Sequence, residues 1–168
     1  MQLTFAGQAQ GTRDAAARQQ WLANCEAAYA PVYRALIAMG ATRDDAADAL
    51  QDAFEQALRQ RTPIRRADGW LYMVANRKWR RARWRRRILR PLDAARLSMW
   101  NDRDPEIDLV RELGRLTERQ RTVVVSRYVL GLSQREIGEL LAIAPGTVAA
   151  TVHQATVILR ERLIGGPK

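Results

Sequence analysis

The chain has very few of the residues that build disulfides and metal centres. Its 168 residues include one cysteine, Cys25, and one histidine, His153. A single thiol excludes an internal disulfide, and one thiol with one imidazole cannot form a metal cluster. Cys25 lies in an apolar periodic segment, where we expect a small core residue. We therefore expect no metal, no cofactor and a reducing, cytoplasmic environment.

Long apolar runs are missing as well. No stretch approaches the ~20 apolar residues that a membrane-spanning helix needs. The N-terminus lacks the basic start and apolar run of a secretory signal. The sequence shows no internal repeat either. A membrane is therefore not an expected partner.

The residues that are abundant favour helix. Ala, Leu, Arg and Gln are frequent, while Gly and Pro are sparse in the middle of the chain, which predicts an all-α fold. Breaks in the helical period predict two small helical domains joined by a linker. We expect a loose tail over 1–13, a first domain over 14–90, the linker over 91–106 and a helix-turn-helix domain over 107–168.

Positive charge is concentrated in one segment. The chain carries a net charge of +10, and residues 61–90 contain twelve Lys and Arg against one acid, Asp68. This patch indicates a polyanionic partner, with nucleic acid first and an anionic membrane surface second. Trp79 and Trp84 interleave with the arginines, a pattern that suits unstacked bases. For each tryptophan alone, packing into the core is the more common outcome.

The segment from Thr42 to Arg59 is the clearest helix of the first half. Thr42 can cap it, and an apolar stripe along it predicts one buried face. A second face is acidic, with Asp44, Asp48, Asp52 and Glu55 at helical spacing. The stripe is either a solvated face or a docking surface for a basic protein partner, and spacing alone favours the solvated face.

The segment from Leu132 to Leu163 has the pattern of two short helices. Ser133 and Glu136 form an S-x-x-E capping box, and Pro145 suits the first turn of a second helix. Val148, Val152, Ala155 and Leu159 then fall on one face. The pattern predicts a helix-turn-helix, whose first helix braces the second in a major groove. A helical hairpin that contacts only its own core is the alternative.

Two motif blocks together resemble the extracytoplasmic-function (ECF) group of sigma factors of bacterial RNA polymerase. DDAADALQDAFEQAL (44–58), followed by WLYMVANRKWRRARWRRR (70–87), resembles the second conserved region of that family. LGRLTERQRTVVVSRYVLGLSQREIGELLAIAPGTVAATVHQATVILRERL (113–163) resembles the fourth. The blocks occur in the family's order, and the resemblance covers about Glu26 to Leu163.

The resemblance implies two protein partners. The family's helix at 44–58 grips the coiled coil of the polymerase β′ clamp, so docking becomes the preferred interpretation of the acidic stripe. The matching polymerase-binding residues are Asp44, Asp48, Gln51, Asp52 and Glu55. The fourth region would contact the β flap of the same core RNA polymerase. Many relatives are also held by an anti-sigma factor, which is a further candidate partner.

The resemblance also implies promoter DNA as a partner. In the family, the loop and basic helix open the −10 element by capturing an unstacked base, which costs a few kcal/mol. The matching −10 residues are Arg61, Arg65, Arg66, Asn76, Arg77, Lys78, Arg80 and Arg81. The fourth region would read the −35 element as duplex. Its matching residues are Ser133, Gln134, Arg135, Pro145, Gly146, Thr147, Ala149, Ala150, Thr151, His153 and Gln154.

The recognition helix departs from the family pattern. Relatives usually carry Lys, Ser and Arg after the Thr-Val pair and Arg before the following Ala. Those positions here are Ala149, Ala150, Thr151 and Gln154, and no Lys or Arg occurs from Ala144 to Leu159. Bidentate arginine contacts to guanine are therefore not available from this helix. The sequence predicts weak −35 binding with an A·T bias.

The resulting hypothesis is a transcription initiation factor, which is not an enzyme because catalysis stays in the polymerase. Two alternatives remain open. One is a free-standing helix-turn-helix regulator that uses the basic segment as a non-specific arm. The other is a sigma-like interaction module with weak DNA reading.

Overall fold

The computed structural model describes the backbone of residues 3–60, 64–89 and 105–164, and the side chains of 13–60, 64–86 and 109–163. Within these ranges every regular element is helical, which confirms the all-α prediction. The first domain contains α1 (Leu3–Ala27), α2 (Tyr29–Ala38), α3 (Arg43–Arg59) and α4 (Ala67–Leu89). The second contains α5 (Pro105–Gly114), α6 (Glu118–Tyr128), α7 (Gln134–Leu141) and α8 (Pro145–Ile164). Most of the predicted linker lies outside the described residues.

The start of α1 corrects one prediction. The loose tail expected over 1–13 is wrong from Leu3 onwards, because α1 already begins there. Gln, Ala and Leu in this segment favour helix, and this preference outweighs the cost of two glycines. The break between α1 and α2 lies at Ala28, the residue between their bounds. Pro31 occupies the first turn of α2, where its missing N–H is tolerated.

The connection between α2 and α3 is a tight C-cap followed by an N-cap. Gly40 has φ +95, and the Ala41 amide donates to the Leu36 carbonyl at 3.0 Å, as in a Schellman motif. The Thr42 hydroxyl then accepts from the Asp45 amide at 3.1 Å, which confirms the predicted cap of α3. The two caps fix the direction in which α3 leaves α2.

Packing of α2, α3 and α4 forms the core of the first domain. The face of α3 that enters this core is rich in alanine, with Ala46, Ala49 and Ala53 buried beside Leu50. Trp21 of α1 is also buried and lies edge-on to Trp70, with ring centroids 5.3 Å apart. The small side chains of α3 let α4 lie close, so the acidic helix and the basic helix are neighbours.

Two capping boxes start helices of the second domain, and the sequence predicted the one at Ser133. Thr117 accepts from the Gln120 amide at 3.3 Å, and the Gln120 side chain accepts from the Thr117 amide at 3.1 Å. Ser133 and Glu136 make the same reciprocal pair at 3.2 and 2.8 Å. Each box satisfies two amides that the first turn would leave unpaired.

The turn between α7 and α8 depends on a close backbone approach. A Cβ on Gly138 would lie 2.7 Å from the Ile143 carbonyl oxygen, so only glycine fits there. Ala142 follows in the left-handed region with φ 53, which a side chain disfavours. Pro145 begins α8 as predicted. The turn is therefore set by backbone geometry.

The two domains pack against each other through one continuous core. Buried residues of the first domain, such as Leu36 and Leu71, belong to the same cluster as Leu132 and Ile137 of the second. Gly69 lies close to the second domain, because a Cβ there would lie 3.0 Å from a methyl group of Leu140. The sequence predicted two domains and a linker but not this shared core.

Among the described residues, no single helix is both long and apolar enough to cross a membrane. One pair bent by 106°, Gln134–Leu141 with Pro145–Leu163, meets that test by length and composition alone.

Candidate nucleic-acid and protein interfaces

The outward face of α3 is acidic, as the sequence predicted. The five side chains on this face are all exposed: Asp44, Asp48, Gln51, Asp52 and Glu55. Asp52 pairs with Lys78 of α4 at 3.4 Å, and both side chains are about half exposed. Asp44 and Asp48 make no ion pair within the described part of the chain. The face therefore presents uncompensated negative charge to solvent.

The first of three faces of α4 lies against α3. Trp79 is 3% exposed on this side, and Arg86 reaches Asp45 of α3 at 2.6 Å. The acidic helix therefore neutralises part of the basic one. Trp79 therefore packs into the core, which is the outcome that we expected for each tryptophan alone.

The second face of α4 lies against α6 of the other domain. Tyr72, Asn76 and Arg80 follow one another at steps of four, and Arg80 meets Glu118 at 2.5 Å. Asn76 is only 4% exposed, so in this arrangement it is not open to a base as the −10 prediction requires. Arg80, which the resemblance assigned to a DNA phosphate, forms an ion pair with Glu118 instead.

The third face of α4 is open to solvent. Arg77 and Arg81, two of the residues expected to hold phosphate, are exposed on it and make no ion pair within the described residues. Trp84 follows on the same side and is 63% exposed. For Trp84 the expectation of inward packing is wrong, because α3 and the second domain do not cover this side of the helix.

The loop before α4 contains an arginine with three carboxylate contacts. Arg66 donates to the two oxygens of Asp68 at 3.0 and 2.7 Å, and to Glu136 of α7 at 2.6 Å. Asp68 lies in the first turn of α4, which begins at Ala67. Its carboxylate is held by Arg66 and by the Gly69 amide at 2.8 Å. Arg65 is exposed, and Arg61 lies outside the described residues.

These contacts keep the three groups ionised. Hydrogen bonds from Ser133, reinforced by Arg66, lower the pKa of Glu136 to about 2. Burial opposes ionisation of Asp68, but hydrogen bonds from Arg66 and Gly69 outweigh it and lower its pKa. The hydrogen bond to Asp68 raises the pKa of Arg66. Arg66 is therefore held by two carboxylates rather than presented to phosphate.

Arg121 makes a further polar contact between the domains. Its guanidinium donates to the Met39 carbonyl at the end of α2 at 3.0 Å. It also donates to the Gly114 and Leu116 carbonyls of its own domain at 2.6 and 3.2 Å. Burial lowers the pKa of Arg121, with nearby Arg83 adding to the effect. One side chain thus satisfies helix-end carbonyls of both domains.

Several polar atoms along this interface lack partners. The Tyr72 hydroxyl, the Asn76 Oδ1, the Arg121 Nε and the Ser126 hydroxyl are buried without a hydrogen bond in the described part of the chain. The Tyr72 hydroxyl lies near Thr122 without reaching hydrogen-bond geometry, and burial raises its pKa. A buried polar atom without a partner costs about 1–3 kcal/mol. The interface is therefore less stable than its apolar part suggests.

Most of the predicted DNA-reading residues of the second domain are exposed. The exposed ones are Ser133, Gln134, Arg135, Pro145, Gly146, Thr147, Ala150, His153 and Gln154. Ala149 is half-buried. Thr151 is buried, and its hydroxyl donates to the Thr147 carbonyl at 2.7 Å, so the structure does not present it to DNA. Arg135 is the basic residue of this set, and it pairs with Glu139 at 3.1 Å.

A groove of about 350 Å³ lies between the domains. Its first-domain side includes Ile64 and Trp70, and its second-domain side includes Leu132 and Leu140. Arg66 and Glu136 lie at the same place and join the two sides. The groove is apolar, with charged residues beside it.

Comparison with known proteins places the second domain in a described family. Residues 107–157 match the family described as Sigma-70, region 4. The ECF RNA polymerase sigma factor SigW of Bacillus subtilis (strain 168) is 43% identical over 49 residues, which are 29% of this chain and 26% of SigW. The match thus spans about a quarter of that relative.

Two solved structures share the fold across both domains. One is the sigma factor RpoE in complex with the anti-sigma factor NepR from Bartonella quintana, with TM-score 0.63 and 22% identity. It covers 89% of this chain and 97% of that one. The other is CnrH with the cytosolic domain of CnrY, with TM-score 0.64, 23% identity and coverage of 92% and 99%.

Proposed function

We propose that the chain is a transcription initiation factor of the ECF group of the sigma-70 family. It would bind core RNA polymerase and direct it to promoters, while catalysis stays in the polymerase. The observation that carries the proposal is the match of residues 107–157 to Sigma-70, region 4. It occurs in a chain that shares its fold with a solved sigma factor over 89% of its length. The acidic face, the basic helix and the helix-turn-helix supply one surface for each partner.

The acidic face of α3 would bind the β′ clamp of the polymerase. This proposal is supported by Asp44 and Asp48, which are exposed and make no ion pair within the described residues. The pair between Asp52 and Lys78 is exposed, and such pairs contribute at most about 1 kcal/mol, so docking can replace it cheaply. Charge complementarity with a basic partner would mainly raise the rate and specificity of association.

The loop and the open face of α4 would melt and hold the −10 element. Arg65, Arg77 and Arg81 are exposed and available for phosphates. Arg66, Asn76 and Arg80 are engaged at the domain interface, so their part in DNA binding requires the domains to separate. The second domain would contact the −35 element weakly, through Gln154, Thr147 and alanine methyl groups.

The distance between the two promoter elements supports such a separation. Elements centred ~25 base pairs apart lie roughly 85 Å apart at 3.4 Å per base pair. A compact chain of this length has a radius of gyration of about 15 Å. The packed arrangement cannot reach both elements, so it would be the state before promoter binding. A partner that favours this state, such as an anti-sigma factor in the apolar groove, would keep the protein inactive.

The test of the proposed function is co-elution of the purified chain with core RNA polymerase. We expect the native chain to bind and the Asp48→Arg, Asp52→Arg double variant to fail. The matched control is Asp14→Arg with Glu26→Arg, which reverses two exposed charges on α1 instead. Equal binding by both double variants would remove α3 as the docking face. No binding by the native chain would remove the proposed function.

One observation favours the free-standing regulator as a second candidate. The exposed face of α8, including Ala150, His153 and Gln154, stays open while the domains are packed together. It could therefore meet duplex DNA without any opening. Tight, sequence-dependent binding of the whole chain to duplex DNA in the absence of polymerase would support this candidate.

A further inference from the structure

We propose that the groove between the two domains binds a small amphipathic anion, a molecule with an apolar body and one carboxylate, and that the bound molecule holds the domains together. The inference rests on the proposed function only in its consequence, because a chain kept in the packed state would be kept from promoter DNA. The lining and the charge of the groove do not depend on that function.

The first observation is the size and the lining of the groove. Its volume of about 350 Å³ falls within the range of about 300–1,000 Å³ that is typical of pockets for small molecules. Both walls are apolar, with Trp70 and Met73 from the first domain and Leu132 and Leu140 from the second. Such pockets occur preferentially at domain interfaces and have mostly apolar linings. The body of the ligand should therefore be apolar.

The second observation is the fixed position of the aromatic wall. Trp70 lies edge-on to Trp21, with ring centroids 5.3 Å apart. Trp21 is buried, and its indole N–H donates to the Ala57 carbonyl at 3.3 Å. Trp70 is thus braced by a ring that is itself anchored. A wall that is ordered before binding lowers the entropic cost of taking up a ligand.

The third observation is the charge around the groove. Arg66 and Glu136 line it and pair with each other at 2.6 Å, and Glu139 pairs with Arg135 at 3.1 Å. Arg65 also lines the groove and is exposed. Of the charges that line the groove, only that of Arg65 lacks an ion pair within the described residues. A carboxylate complements this charge, because it accepts two parallel hydrogen bonds from a guanidinium group.

Other small molecules fit this lining less well. A cation would be repelled by Arg65, which has no carboxylate beside it to offset the charge. A sugar would place hydroxyl groups against apolar walls, and a polar group that is buried without a hydrogen bond is destabilising. An amphipathic anion is therefore the class that matches both the walls and the charge.

The position of the walls explains how such a ligand would act. Each wall belongs to a different domain, so the ligand contacts both walls only while the domains are packed together. A ligand that binds one of two states shifts the population toward that state. At about 100 times its dissociation constant, a ligand of the packed state alone would shift the equilibrium about 100-fold. The molecule would therefore act as a signal that keeps the chain from promoter DNA.

The test compares three probes that share one apolar body: phenylbutyrate, phenylbutanol and phenylbutylamine. Their binding to the whole chain is measured by isothermal titration calorimetry. We expect the carboxylate to bind about tenfold more tightly than the alcohol, the lower end for a hydrogen bond to a charged group, and the amine to bind most weakly.

Arg65→Gln should abolish this preference for the carboxylate. The matched control is Arg34→Gln, which removes an exposed cation from α2 instead and should keep the preference. Equal affinities of the three probes for the native chain would overturn the inference. An undiminished preference in Arg65→Gln would overturn it as well.

Methyl NMR spectra locate the bound probe. Phenylbutyrate should shift the signals of Ile64 and Leu140, which line the groove. It should leave the signal of Ile158 unchanged, because Ile158 packs in the separate cluster around Leu113. Failure of all three probes to shift the Ile64 signal would overturn the inference. If an amphipathic peptide of leucine and lysine shifts that signal instead, the groove takes a protein partner.

Small-angle X-ray scattering tests whether the ligand holds the domains together. Arg121→Ala removes the donor to the Met39 carbonyl, and this loss should favour separated domains. Saturating phenylbutyrate should return the radius of gyration of this variant to the native value. A radius that stays expanded while the probe is bound would overturn this part of the inference.

Co-elution with core polymerase distinguishes the inference from the proposed function. If the native chain fails to bind polymerase but binds phenylbutyrate through Arg65, the groove is a ligand site and only the proposed function is removed. If the chain binds polymerase but none of the probes, only the inference is removed.

Discussion

Arg66 and Glu136 lie 70 positions apart in the chain and form an ion pair of 2.6 Å across the domain boundary. Glu136 also closes the capping box that starts the helix-turn-helix, by accepting from the Ser133 amide. One carboxylate therefore stabilises the first helix of the helix-turn-helix and holds an arginine proposed to contact the −10 element. The pair couples the two surfaces proposed to bind DNA in the packed state.

Glu136→Gln should release Arg66 while keeping the cap, because glutamine also completes a capping box. We expect tighter binding of the variant to a single-stranded −10 oligonucleotide, measured by fluorescence anisotropy. The matched control is Glu139→Gln on the same helix, which breaks only the exposed pair with Arg135. Equal affinity of the two variants would show that the pair does not restrain Arg66.

The same carboxylate predicts a pH dependence of stability. The pKa of Glu136 is lowered from 4.5 to about 2 in the folded chain. Its contribution is therefore fully present above about pH 4.5 and is lost as the pH falls toward about 2, because the unfolded chain then binds more protons. Asp68, whose pKa is also lowered, adds in the same direction. Urea unfolding at several pH values should show a shallower acid loss for Glu136→Gln than for the native chain.

The turn of the helix-turn-helix predicts two opposite effects. Gly138→Ala should destabilise the second domain by roughly 1–3 kcal/mol, because the new methyl group meets the Ile143 carbonyl at 2.7 Å. Ala142→Gly should stabilise it by up to about 1 kcal/mol, since glycine adopts φ 53 without steric cost. Chemical denaturation of both variants checks the signs, and two changes of the same sign would contradict this geometry.

Local features of this chain were predictable from its sequence. The capping boxes at Thr117 and Ser133, the cap at Thr42 and the helix start at Pro145 are each set by a few neighbouring residues. The acidic stripe of α3 was visible from its helical spacing. These signals lie within one or two turns, where side-chain geometry alone decides the outcome.

Contacts between the domains were not predictable in the same way. Arg66, Arg80 and Arg121 read as surface cations, and nothing nearby indicates that their partners are Glu136, Glu118 and the Met39 carbonyl. The different environments of Trp79 and Trp84 also depend on which neighbours cover α4. Such outcomes depend on packing between distant segments, which helical periodicity does not encode.

α8, the proposed recognition helix, has no Lys or Arg before Arg160, so adding a positive charge to it should increase DNA binding. Gln154 is exposed beside the buried Ala155. Gln154→Arg should therefore direct a guanidinium toward the major groove of bound DNA. We expect duplexes with a guanine in reach to bind more tightly by about 1–3 kcal/mol. The matched control is Gln20→Arg on α1, which adds the same charge away from the helix-turn-helix. Equal gains in the two variants would indicate non-specific attraction rather than base reading.

Two substitutions at the domain interface should shift the equilibrium between packed and separated domains in opposite directions. Tyr72→Phe removes a buried hydroxyl that has no hydrogen-bond partner, and should stabilise the packed state by about 1 kcal/mol. Arg121→Ala leaves the Met39 carbonyl of the first domain without its donor, and should destabilise the packed state by about 1–3 kcal/mol. The increase in radius of gyration on opening, measured by small-angle X-ray scattering, should be smallest for Tyr72→Phe and largest for Arg121→Ala.

The control for this pair is Tyr128→Phe, which removes an equivalent hydroxyl from an exposed ring. It should change neither the urea midpoint nor the radius of gyration, because its hydroxyl can bond to water in both states. A loss of stability in Tyr72→Phe would mean that its hydroxyl is bonded in the packed state. That hydroxyl would then not weaken the interface, and separation of the domains would depend on the remaining unpaired atoms and on binding to polymerase.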